Sequence, residues 1–443
     1  MTHVLHRQLA TVPPRAVSAS GMYIVDADGR RFLDACGGAA VSCLGHGHPD
    51  VLAAMHSQID RLAYAHTSFF TSEVSEALAD HLVEHAPAGL DQVYFVSGGS
   101  EAVEAALKLA RQYFVEIGQP QRTHFVARRQ SYHGNTLGAL AVGGNEWRRR
   151  QFAPLLIDVK HVAPCYEYRD RLPDETEADF TARLLAEIDA AFQQIGPDRV
   201  IAFCAETVVG ATAGALPPTR GYLQGVRALC DRYDVHLIAD EIAVGCGRTG
   251  SFFACEQAGI WPDFLCLSKG ISGGYLPLAL VMTRDAIYEG FVDDDVARSF
   301  LHSHSYTGNA LACRAALATL DLFEREDALR RNRARAERLI DRLREGLHGV
   351  PVEHLRQRGM ITAFDMREPG ARFAERFHLA ARANGLLMRP IGSTVYLMPP
   401  YAIGDDEIDL LVDGTLATLQ AVAASAHADH ANHVEGSRDA ALA

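Results

Sequence analysis

The stretch Val93-Tyr-Phe-Val-Ser-Gly-Gly-Ser-Glu-Ala-Val-Glu-Ala-Ala-Leu107 joins a short apolar run to a glycine turn and then to a segment with regularly spaced apolar residues. Residues 93–96 are β-branched or aromatic, which indicates a buried strand. Apolar residues then recur at 103, 106, 107, 110, 113 and 114, which is the spacing of one helix face. The sequence therefore predicts a strand that runs through a glycine turn into a helix over 101–116.

The same order of apolar run and helical segment recurs along the chain from about residue 60. We predict further strands at 124–127, 200–205, 235–239, 264–267 and 278–282. Each run is compact and bounded by polar or glycine residues, as are the buried strands of a parallel sheet. The alternation predicts an α/β fold with a doubly wound, largely parallel central sheet.

The two ends of the chain predict a second, smaller unit. Residues 22–25 and 30–34 have the pattern of a hairpin around Asp28-Gly29. Beyond residue 311 we expect helices at 312–323, 328–347 and 371–384, with strands at 360–365 and 395–398. We therefore predict a large domain over 60–310 and a small α+β domain built from 1–59 and 311–422. Residues 423–443, rich in Ala, His, Asp and Ser, are expected to form a flexible tail.

The composition restricts the class of protein. The 443 residues include 42 Lys and Arg against 55 Asp and Glu, so the net charge of −13 argues against a binder of nucleic acid or anionic membrane. No run of 18 apolar residues occurs, and the N-terminus has no apolar signal stretch, so we expect a cytoplasmic protein. The nine cysteines form no C-x-x-C pair, which predicts reduced core thiols rather than disulfides or a zinc site.

Residues that can bind a ligand or take part in catalysis follow several predicted strands. In an open α/β sheet, ligands bind beyond the carboxyl ends of the strands. The residues at those positions are Gly98, Gly99, Ser100, Tyr132, His133, Glu206, Asp240 and Lys269. Taken singly, each has an ordinary explanation as a tight turn, a helix cap or a surface charge. Their coincidence on one edge of one sheet indicates a shared ligand.

This combination of groups suits pyridoxal phosphate. Glycines let backbone N–H groups approach a phosphate, and the N-terminus of the following helix favours its negative charge. An aromatic ring such as Tyr132 can stack on the pyridine. A carboxylate at Asp240 can keep the pyridine nitrogen protonated, so that the ring accepts electrons. A partly desolvated amine at Lys269 can bind the cofactor covalently and move protons at the substrate carbon.

From Tyr23 to about Leu419 the chain resembles the class III, or ω-amino-acid-type, family of pyridoxal-phosphate-dependent aminotransferases. The resemblance rests on five stretches in the family's order: Ser97-Gly-Gly-Ser-Glu-Ala-Val-Glu, Tyr132-His-Gly-Asn-Thr, Leu237-Ile-Ala-Asp-Glu-Ile-Ala-Val-Gly, Leu267-Ser-Lys-Gly-Ile-Ser-Gly-Gly-Tyr and His304-Ser-Tyr-Thr-Gly-Asn. It implies the fold of a type I pyridoxal-phosphate transferase, with a mostly parallel sheet in a large domain plus a smaller α+β domain. It also implies a homodimer with shared active sites.

The resemblance further implies a role for each position that matches the family. Lys269 looks like the lysine that binds the cofactor covalently and shuttles protons, and Asp240 like the partner of the pyridine nitrogen. Ile242 matches the aliphatic residue that packs on one face of the ring. Tyr132 matches the aromatic residue on the other face, with His133 adjacent.

The phosphate site is implied in the same way. Gly98, Gly99 and Ser100 match the phosphate-binding turn. Ser305 stands where the family usually has threonine, a hydroxyl that the partner subunit contributes to the phosphate, and Thr307 is the nearby alternative. Glu206 matches an acid near the cofactor and substrate, although Thr207 follows it where the family usually has proline.

The substrate is indicated by residues near the C-terminus. Arg389 offers an arginine fork that suits a carboxylate, on the amino donor or on a 2-oxo acid acceptor. The stretch from Met388 is similar to the biotin-pathway branch, which makes 7,8-diaminononanoate, but the tryptophans of that branch fall at Ala39 and Ala40. Small residues there imply a wider substrate pocket, so Ala40 is also predicted to be a substrate-binding residue.

Our main hypothesis is a ping-pong transaminase that moves an amino group from an amine or ω-amino acid to a 2-oxo acid, with pyruvate as the expected acceptor. The alternative is the aminotransferase that forms diaminopelargonate in biotin synthesis. Other class III activities remain open, namely aminomutase, decarboxylase and racemase, as does a cofactor binder that has lost turnover. We expect no metal in the site.

One motif points to a different class of enzyme. Gly245-Cys-Gly-Arg-Thr-Gly250 matches G-x-G-x-x-G, the dinucleotide fingerprint of nicotinamide oxidoreductases. That fingerprint needs a strand that runs straight into the glycines and a helix that begins on them. Here Asp240 and Glu241 intervene, and the residues after Gly250 start no amphipathic stripe, which argues against a nicotinamide enzyme.

Overall fold

A seven-stranded sheet forms the centre of the chain. The computed structural model describes residues 2–7, 9–10, 12–87, 89–210 and 212–439, with side chains as far as residue 424. The described strands are β1 Ala16–Ser20, β2 Tyr23–Asp26, β3 Arg31–Asp34, β4 Gln92–Val96, β5 His124–Arg128, β6 Val159–Val162, β7 Val200–Glu206, β8 His236–Asp240, β9 Phe264–Leu267, β10 Ala279–Thr283, β11 Val352–Arg358, β12 Ile361–Met366, β13 Leu386–Leu387 and β14 Thr394–Leu397.

Helices cover the sheet and connect its strands. The described helices are α1 Gly37–Ala40, α2 Pro49–Arg61, α3 Glu73–His85, α4 Gly99–Glu116, α5 Leu137–Val142, α6 Glu146–Arg149, α7 Glu167–Asp170, α8 Glu177–Ile195, α9 Tyr222–Tyr233, α10 Asp285–Tyr288, α11 Ala310–Arg325, α12 Ala328–Gly346, α13 Phe373–Ala383 and α14 Asp405–Asp439. In this part of the chain, no helix is both long enough and apolar enough to span a bilayer.

The central sheet has the strand order β4-β10-β9-β8-β7-β5-β6. Strands β9, β8, β7, β5 and β6 pair in parallel, whereas β10 is antiparallel to both of its neighbours. All seven residues of β7 and all five of β8 are buried, as expected for strands covered by helices on both faces. The predicted α/β class with a mostly parallel sheet is confirmed.

The glycine turn after β4 leads directly into α4, as the sequence pattern predicts. The Glu101 carboxylate accepts hydrogen bonds from the backbone N–H groups of Ser97 and Gly98, at 3.0 and 2.8 Å. These bonds cap the helix by satisfying donors just before its first turn. The apolar stripe of α4, including Val103, Leu107 and Phe114, is buried against the sheet.

Two smaller sheets complete the fold. One has the order β1-β2-β3-β13, in which the predicted hairpin of β2 and β3 is present and β13 pairs in parallel with β3. The other has the order β11-β12-β14. Because Leu386 pairs with Leu33, one sheet joins both ends of the chain. This pairing supports the proposed division into 60–310 and a unit built from 1–59 and 311–422, which stays a prediction.

The sequence pattern locates the interior strands but misses β1, β6, β11 and β13. All four lie at the edge of their sheets. β1 is exposed along its whole length, and β11 is only partly buried, so neither needs an apolar run. The tail predicted over 423–443 continues α14 as far as residue 439, and its last four residues lie outside the described residues. All nine cysteines are buried and free of disulfides.

A buried ion pair connects the small β11-β12-β14 sheet to a loop after β7. Arg356 lies 3.0 Å from Asp365, and it donates hydrogen bonds to the carbonyl oxygens of Gly214 and Ala215 at 2.6 and 3.2 Å. Both charged side chains are buried. Burial alone would raise the pKa of Asp365, but hydrogen bonds from Arg356 and Thr394 lower it below its usual value.

We predict that Arg356→Leu lowers the free energy of unfolding by about 3–5 kcal/mol at pH 7, because the Asp365 charge then stays buried without its partner. In the wild type, the Asp365 carboxylate stabilises the fold at pH values above its unfolded pKa, and this stabilisation is lost as the pH falls through the lowered folded pKa. In the variant, lowering the pH should instead restore part of the lost stability, because protonation removes the unpaired charge. Urea unfolding from pH 4 to 8 measures both effects. Arg356→Leu/Asp365→Asn is the control, and it should recover part of the loss. A double variant no more stable than the single one contradicts this account.

Candidate functional site

A cavity of about 140 Å³ lies at the carboxyl ends of the central parallel strands. Eight of the residues predicted from the sequence line it: Gly99, Ser100, Tyr132, His133, Glu206, Asp240, Ile242 and Lys269. Five further residues complete the lining: Gly134, Val208, Ala243, Val244 and Ser268. Most of the additional residues adjoin a predicted one in sequence, and that adjacency is the signal that could have found them. Val208 gives no such signal.

Lys269 follows β9 directly and begins a short 3₁₀ turn. Its φ of 50° is in the left-handed region, which a side chain of this size rarely adopts and which is often found at functional sites. Burial lowers the pKa of the Lys269 amine, the Asp240 and Glu206 charges oppose this, and Arg248 and Arg389 lower it further. The result is an amine with a larger neutral, nucleophilic fraction than that of an exposed lysine.

Asp240 ends β8 and is held by two hydrogen bonds. His133 Nδ1 lies 2.9 Å from one carboxylate oxygen, and the backbone N–H of Ile242 donates to the other at 3.0 Å. Burial acts to lower the pKa of His133, but Cys204 and the adjacent Asp240 carboxylate raise it well above its usual value. Asp240 therefore lines the cavity with its side chain oriented by His133 and by the Ile242 N–H.

Glu206 is buried at the end of β7, beside Asp240. Its carboxylate accepts hydrogen bonds from the backbone N–H groups of Tyr132 and Gly210, at 3.2 and 3.1 Å. Burial raises the pKa of Glu206, with His133 and Arg128 opposing the rise and Asp240 adding to it. The buried Arg128 also donates to the Glu206 carbonyl oxygen at 2.5 Å.

Two glycines allow close backbone packing at the cavity. A Cβ atom on Gly99 would lie 2.8 Å from Ile242 Cγ2, and one on Gly134 would lie 2.6 Å from Ser100 Oγ. Neither position accepts a side chain without displacing the cavity wall. The first residues of α4, Gly99 and Ser100, therefore face the cavity at the positive end of a long helix, which favours an anion.

Tyr132 provides an aromatic wall for the cavity. The guanidinium of Arg148 lies 5.0 Å from the centroid of its ring, within the range of a cation–π contact. Ile242 supplies an aliphatic wall. This one cavity therefore offers apolar walls, an anion-binding turn and a carboxylate, which together suit a flat ring with an anionic substituent.

The remaining predicted site residues do not line this cavity. Gly98 is the N-cap of α4, and the Thr307 hydroxyl donates to the Phe95 carbonyl oxygen at 2.7 Å. Ser305 is exposed, and its carbonyl oxygen accepts a hydrogen bond from the Tyr64 hydroxyl at 2.8 Å. The roles of Ser305 and Thr307 at a phosphate stay predictions.

Arg389 and Ala40 also lie off the cavity wall. Arg389 is exposed, but its charge acts on the Tyr396 hydroxyl and on the Lys269 amine. Ala40 is buried with a φ of 64°, and Ala39 is exposed. The wider pocket inferred from these two alanines therefore has no direct support from the lining of this cavity, and the substrate role of Ala40 stays a prediction.

The glycines of the dinucleotide fingerprint lie in a different setting from the one that motif needs. Residues 241–250 form successive turns after β8, followed by the short 3₁₀ helix Ala254–Ala258 rather than by an amphipathic α-helix. A Cβ atom on Gly247 would lie 2.7 Å from Leu329 in α12, so this glycine serves packing between elements. The geometry agrees with the expectation from sequence that this is not a nicotinamide site.

Comparison with known proteins gives a consistent result. Residues 6–419 match the family described as aminotransferase class III. The chain is 40% identical over 420 residues to an adenosylmethionine-8-amino-7-oxononanoate aminotransferase from Nitratidesulfovibrio vulgaris, covering 91% of this chain and 77% of that protein.

Two solved structures are similar over nearly their whole length. An (S)-enantioselective omega-transaminase from Thermomicrobium roseum has a TM-score of 0.90 and 32% identity, with 95% of this chain and 96% of that chain covered. The adenosylmethionine-8-amino-7-oxononanoate aminotransferase from Methanocaldococcus jannaschii has a TM-score of 0.86 and 31% identity, with 94% and 97% covered. Both structures have the fold described above.

We predict that His133 loses its proton more readily in Asp240→Asn, because the carboxylate that raises its pKa together with Cys204 is then neutral. Because the pKa of His133 is higher in the folded than in the unfolded protein, protonation of His133 stabilises the fold. This contribution is complete at pH values below the unfolded pKa and is lost as the pH rises through the folded pKa. Nitrogen-15 NMR of histidine-labelled protein follows the titration. His56, exposed on α2, serves as the internal control. An unchanged His133 titration in Asp240→Asn contradicts the proposed coupling.

Proposed function

We propose that the chain moves an amino group from an amine or ω-amino acid to a 2-oxo acid with pyridoxal 5′-phosphate as cofactor. The chain belongs to the class III aminotransferase family, which supports this proposal. The chain is an enzyme with transaminase activity, as its family and its relatives establish. The observation that carries the proposal is the cavity in which Lys269, Asp240 and the start of α4 come together. Transaminase chemistry needs an amine, an acid and an anion site in that combination.

The residues present fit this cofactor. Its phosphate suits the turn at Gly99 and Ser100, where close packing against Ile242 excludes any larger residue than glycine at position 99. Its ring suits the space bounded by Tyr132 and Ile242. Its pyridine nitrogen suits Asp240, which is the carboxylate that His133 and the Ile242 N–H hold in place.

Bound pyridoxal phosphate supplies an electron sink for the carbanion that forms at the substrate's amino-bearing carbon. Lys269 would hold the cofactor through Nζ, and its free amine would accept the proton from that carbon. Its lowered pKa leaves the amine neutral more often, which suits both tasks. Asp240 would lie at the pyridine nitrogen and favour its protonated form, and His133 would fix the orientation of Asp240. The same residues would serve the 2-oxo acid in the second half of a ping-pong reaction.

Arg389 is the proposed carboxylate-binding residue. Its exposed guanidinium lies close enough to the site for its charge to lower the pKa values of Lys269 and Tyr396. An exposed arginine fork can turn toward a substrate carboxylate. Pyruvate, which pairs a carboxylate with a small keto group, is our proposed acceptor.

We also propose that the enzyme works as a homodimer with shared active sites. Large apolar side chains are exposed on the loop that carries Ser305 and in the segment after Tyr64, which contacts that loop. The exposed fractions are 77% for Phe69, 68% for Phe70 and 60% for Tyr306. Such a concentration of exposed aromatic rings is typical of an interface. The exposed Ser305 is the residue that one subunit would then offer to the phosphate of the other.

A second candidate function is the formation of diaminopelargonate. The 40% identical relative is named for the reaction of adenosylmethionine with 8-amino-7-oxononanoate, and this identity favours the same substrates. The two functions differ in the amino donor and acceptor but use the same cofactor residues. A substrate screen therefore separates them, while the role of Lys269 is tested independently.

We predict that Lys269 is the single lysine that carries the cofactor. The chain has only three lysines, and the other two, Lys108 and Lys160, are exposed. Borohydride reduction followed by peptide mass spectrometry should therefore label Lys269 alone. Lys269→Ala should lose the label and at least 100-fold in transaminase rate, whereas Lys160→Ala should keep both. Label or near-normal turnover in Lys269→Ala refutes the assignment.

We predict measurable amino transfer to pyruvate from an amine or ω-amino acid, followed by the change in cofactor absorbance in each half-reaction. Arg389→Ala should raise the KM for pyruvate about 10- to 100-fold, because a charge-assisted pair of hydrogen bonds is lost. The half-reaction with an amine that has no carboxylate is the internal control, and it should change little. Conversion of 8-amino-7-oxononanoate with adenosylmethionine, without transfer to pyruvate, would establish the second candidate instead.

A further inference from the structure

Two histidines of α3 and a glutamate of α11 meet at the protein surface, and none of the three lines the cavity of Lys269 and Asp240. His81 and His85 are four residues apart and so lie on one face of the helix. Their Nε2 atoms lie 3.4 and 3.2 Å from the same carboxylate oxygen of Glu324. The two rings are stacked, with centroids 4.3 Å apart and an interplanar angle of 22°.

We propose that His81, His85 and Glu324 form a binding site for a divalent first-row transition metal ion. All three potential ligand atoms lie within 4.8 Å of one another. Tetrahedral ligands at the usual distances of 2.0–2.1 Å from zinc are about 3.4 Å apart, which is close to the separations of both Nε2 atoms from Glu324. Two imidazoles with one carboxylate form a ligand set that such ions use in proteins.

The hydrogen bonding of His85 prepares it for this role. Its Nδ1 atom lies 2.8 Å from the backbone carbonyl oxygen of His81. Since a carbonyl oxygen can only accept, Nδ1 is the protonated nitrogen, and in the neutral ring the Nε2 atom keeps its lone pair for a metal. Histidine ligands in proteins are usually oriented by such a bond from the other ring nitrogen.

The surroundings leave room for further ligands. A cavity of about 270 Å³ adjoins the three residues, and apolar side chains including Leu82, Phe252 and Phe323 form much of its wall. Asp321 and Glu84 are near enough for their charges to act on His81, so the local field favours a cation. Three protein ligands beside an open cavity leave coordination positions for water or a small anion.

A metal at this position would connect two helices that lead to the cofactor cavity. α3 precedes β4, whose end opens into the Gly99 turn, and α11 follows the loop that carries Ser305 and Thr307. Coordination by ligands from both helices would fix α3 against α11. The proposed role is therefore structural, and it lies outside the active site, for which the sequence predicts no metal.

Imidazole ligands also decide which ions should bind. Zn²⁺, Co²⁺ and Ni²⁺ accept histidine nitrogen readily, whereas Mg²⁺ and Ca²⁺ prefer oxygen ligands. Exposed histidine–glutamate contacts also occur as simple ion pairs when the imidazole is protonated. A simple ion pair predicts no saturable Zn²⁺ binding in a titration, whereas a metal site predicts saturable binding.

The test is isothermal titration of tag-free holoenzyme with Zn²⁺ at pH 7.5, with Co²⁺ absorbance and Mg²⁺ in parallel. We expect one Zn²⁺ per chain, and at least tenfold weaker binding in each of His81→Ala, His85→Ala and Glu324→Gln. Zn²⁺ should raise the unfolding temperature of the wild type, because a ligand that binds only the folded state stabilises it. The variants should lose this increase, whereas Mg²⁺ should have no effect.

His56→Ala removes an exposed histidine of α2 outside the cluster, and it should bind Zn²⁺ like the wild type. His85→Ala and Glu324→Gln change exposed residues, so they decide the question even if His81→Ala folds poorly. Absence of saturable Zn²⁺ binding overturns the proposal, and so does equal affinity in His85→Ala and the wild type. Transaminase activity should be unchanged in His85→Ala, which separates this result from the proposed function.

Discussion

The register of the parallel strands is the constraint on which the site depends. Glu206 at the end of β7 pairs with Asp240 at the end of β8, and Asp240 pairs in turn with Cys266 of β9, three residues before Lys269. Parallel pairing brings the carboxyl ends of successive strands to one edge. A one-residue slip would turn these side chains to the opposite face of the sheet. The buried apolar faces of β7, β8 and β9 hold the register and so position the charges.

That register puts two carboxylates side by side in a buried place, which is unfavourable unless cations lie close to them. The structure places His133 against Asp240 and Arg128 beside Glu206, and both carboxylates also act on the Lys269 amine. The same balance explains the direction of the pKa shifts. Burial raises the pKa of Glu206 and lowers that of Lys269, and the opposite charges moderate both. The chemistry of the site is therefore set by the packing that surrounds it.

The sequence predicts much of the cavity lining because strand ends are local signals. Most of these residues lie within a few residues of the end of a strand, and the glycines at 99 and 134 are needed by contacts that any side chain would disrupt. The edge strands and the Arg356–Asp365 pair give no comparable signal, since polar edge strands resemble loops and a buried pair depends on contacts distant in sequence. The His81 and His85 pair is visible as an i, i+4 spacing, but its glutamate comes from a helix more than 200 residues later.

Substrate selection is less predictable for a different reason. The cavity is lined by residues at or beyond the strand ends of one sheet, whereas the predicted substrate and phosphate residues Arg389 and Ser305 are exposed on this chain. The side chain of an exposed residue is not enclosed by its own chain, so neither its spacing in sequence nor the local fold determines what it binds. The rings of Phe69, Phe70 and Tyr306 are also exposed, and in the proposed dimer a second copy of the chain would cover them. The cavity chemistry therefore follows from the sheet of a single chain, whereas in the proposed dimer the choice of substrate would depend on surfaces that the second copy completes.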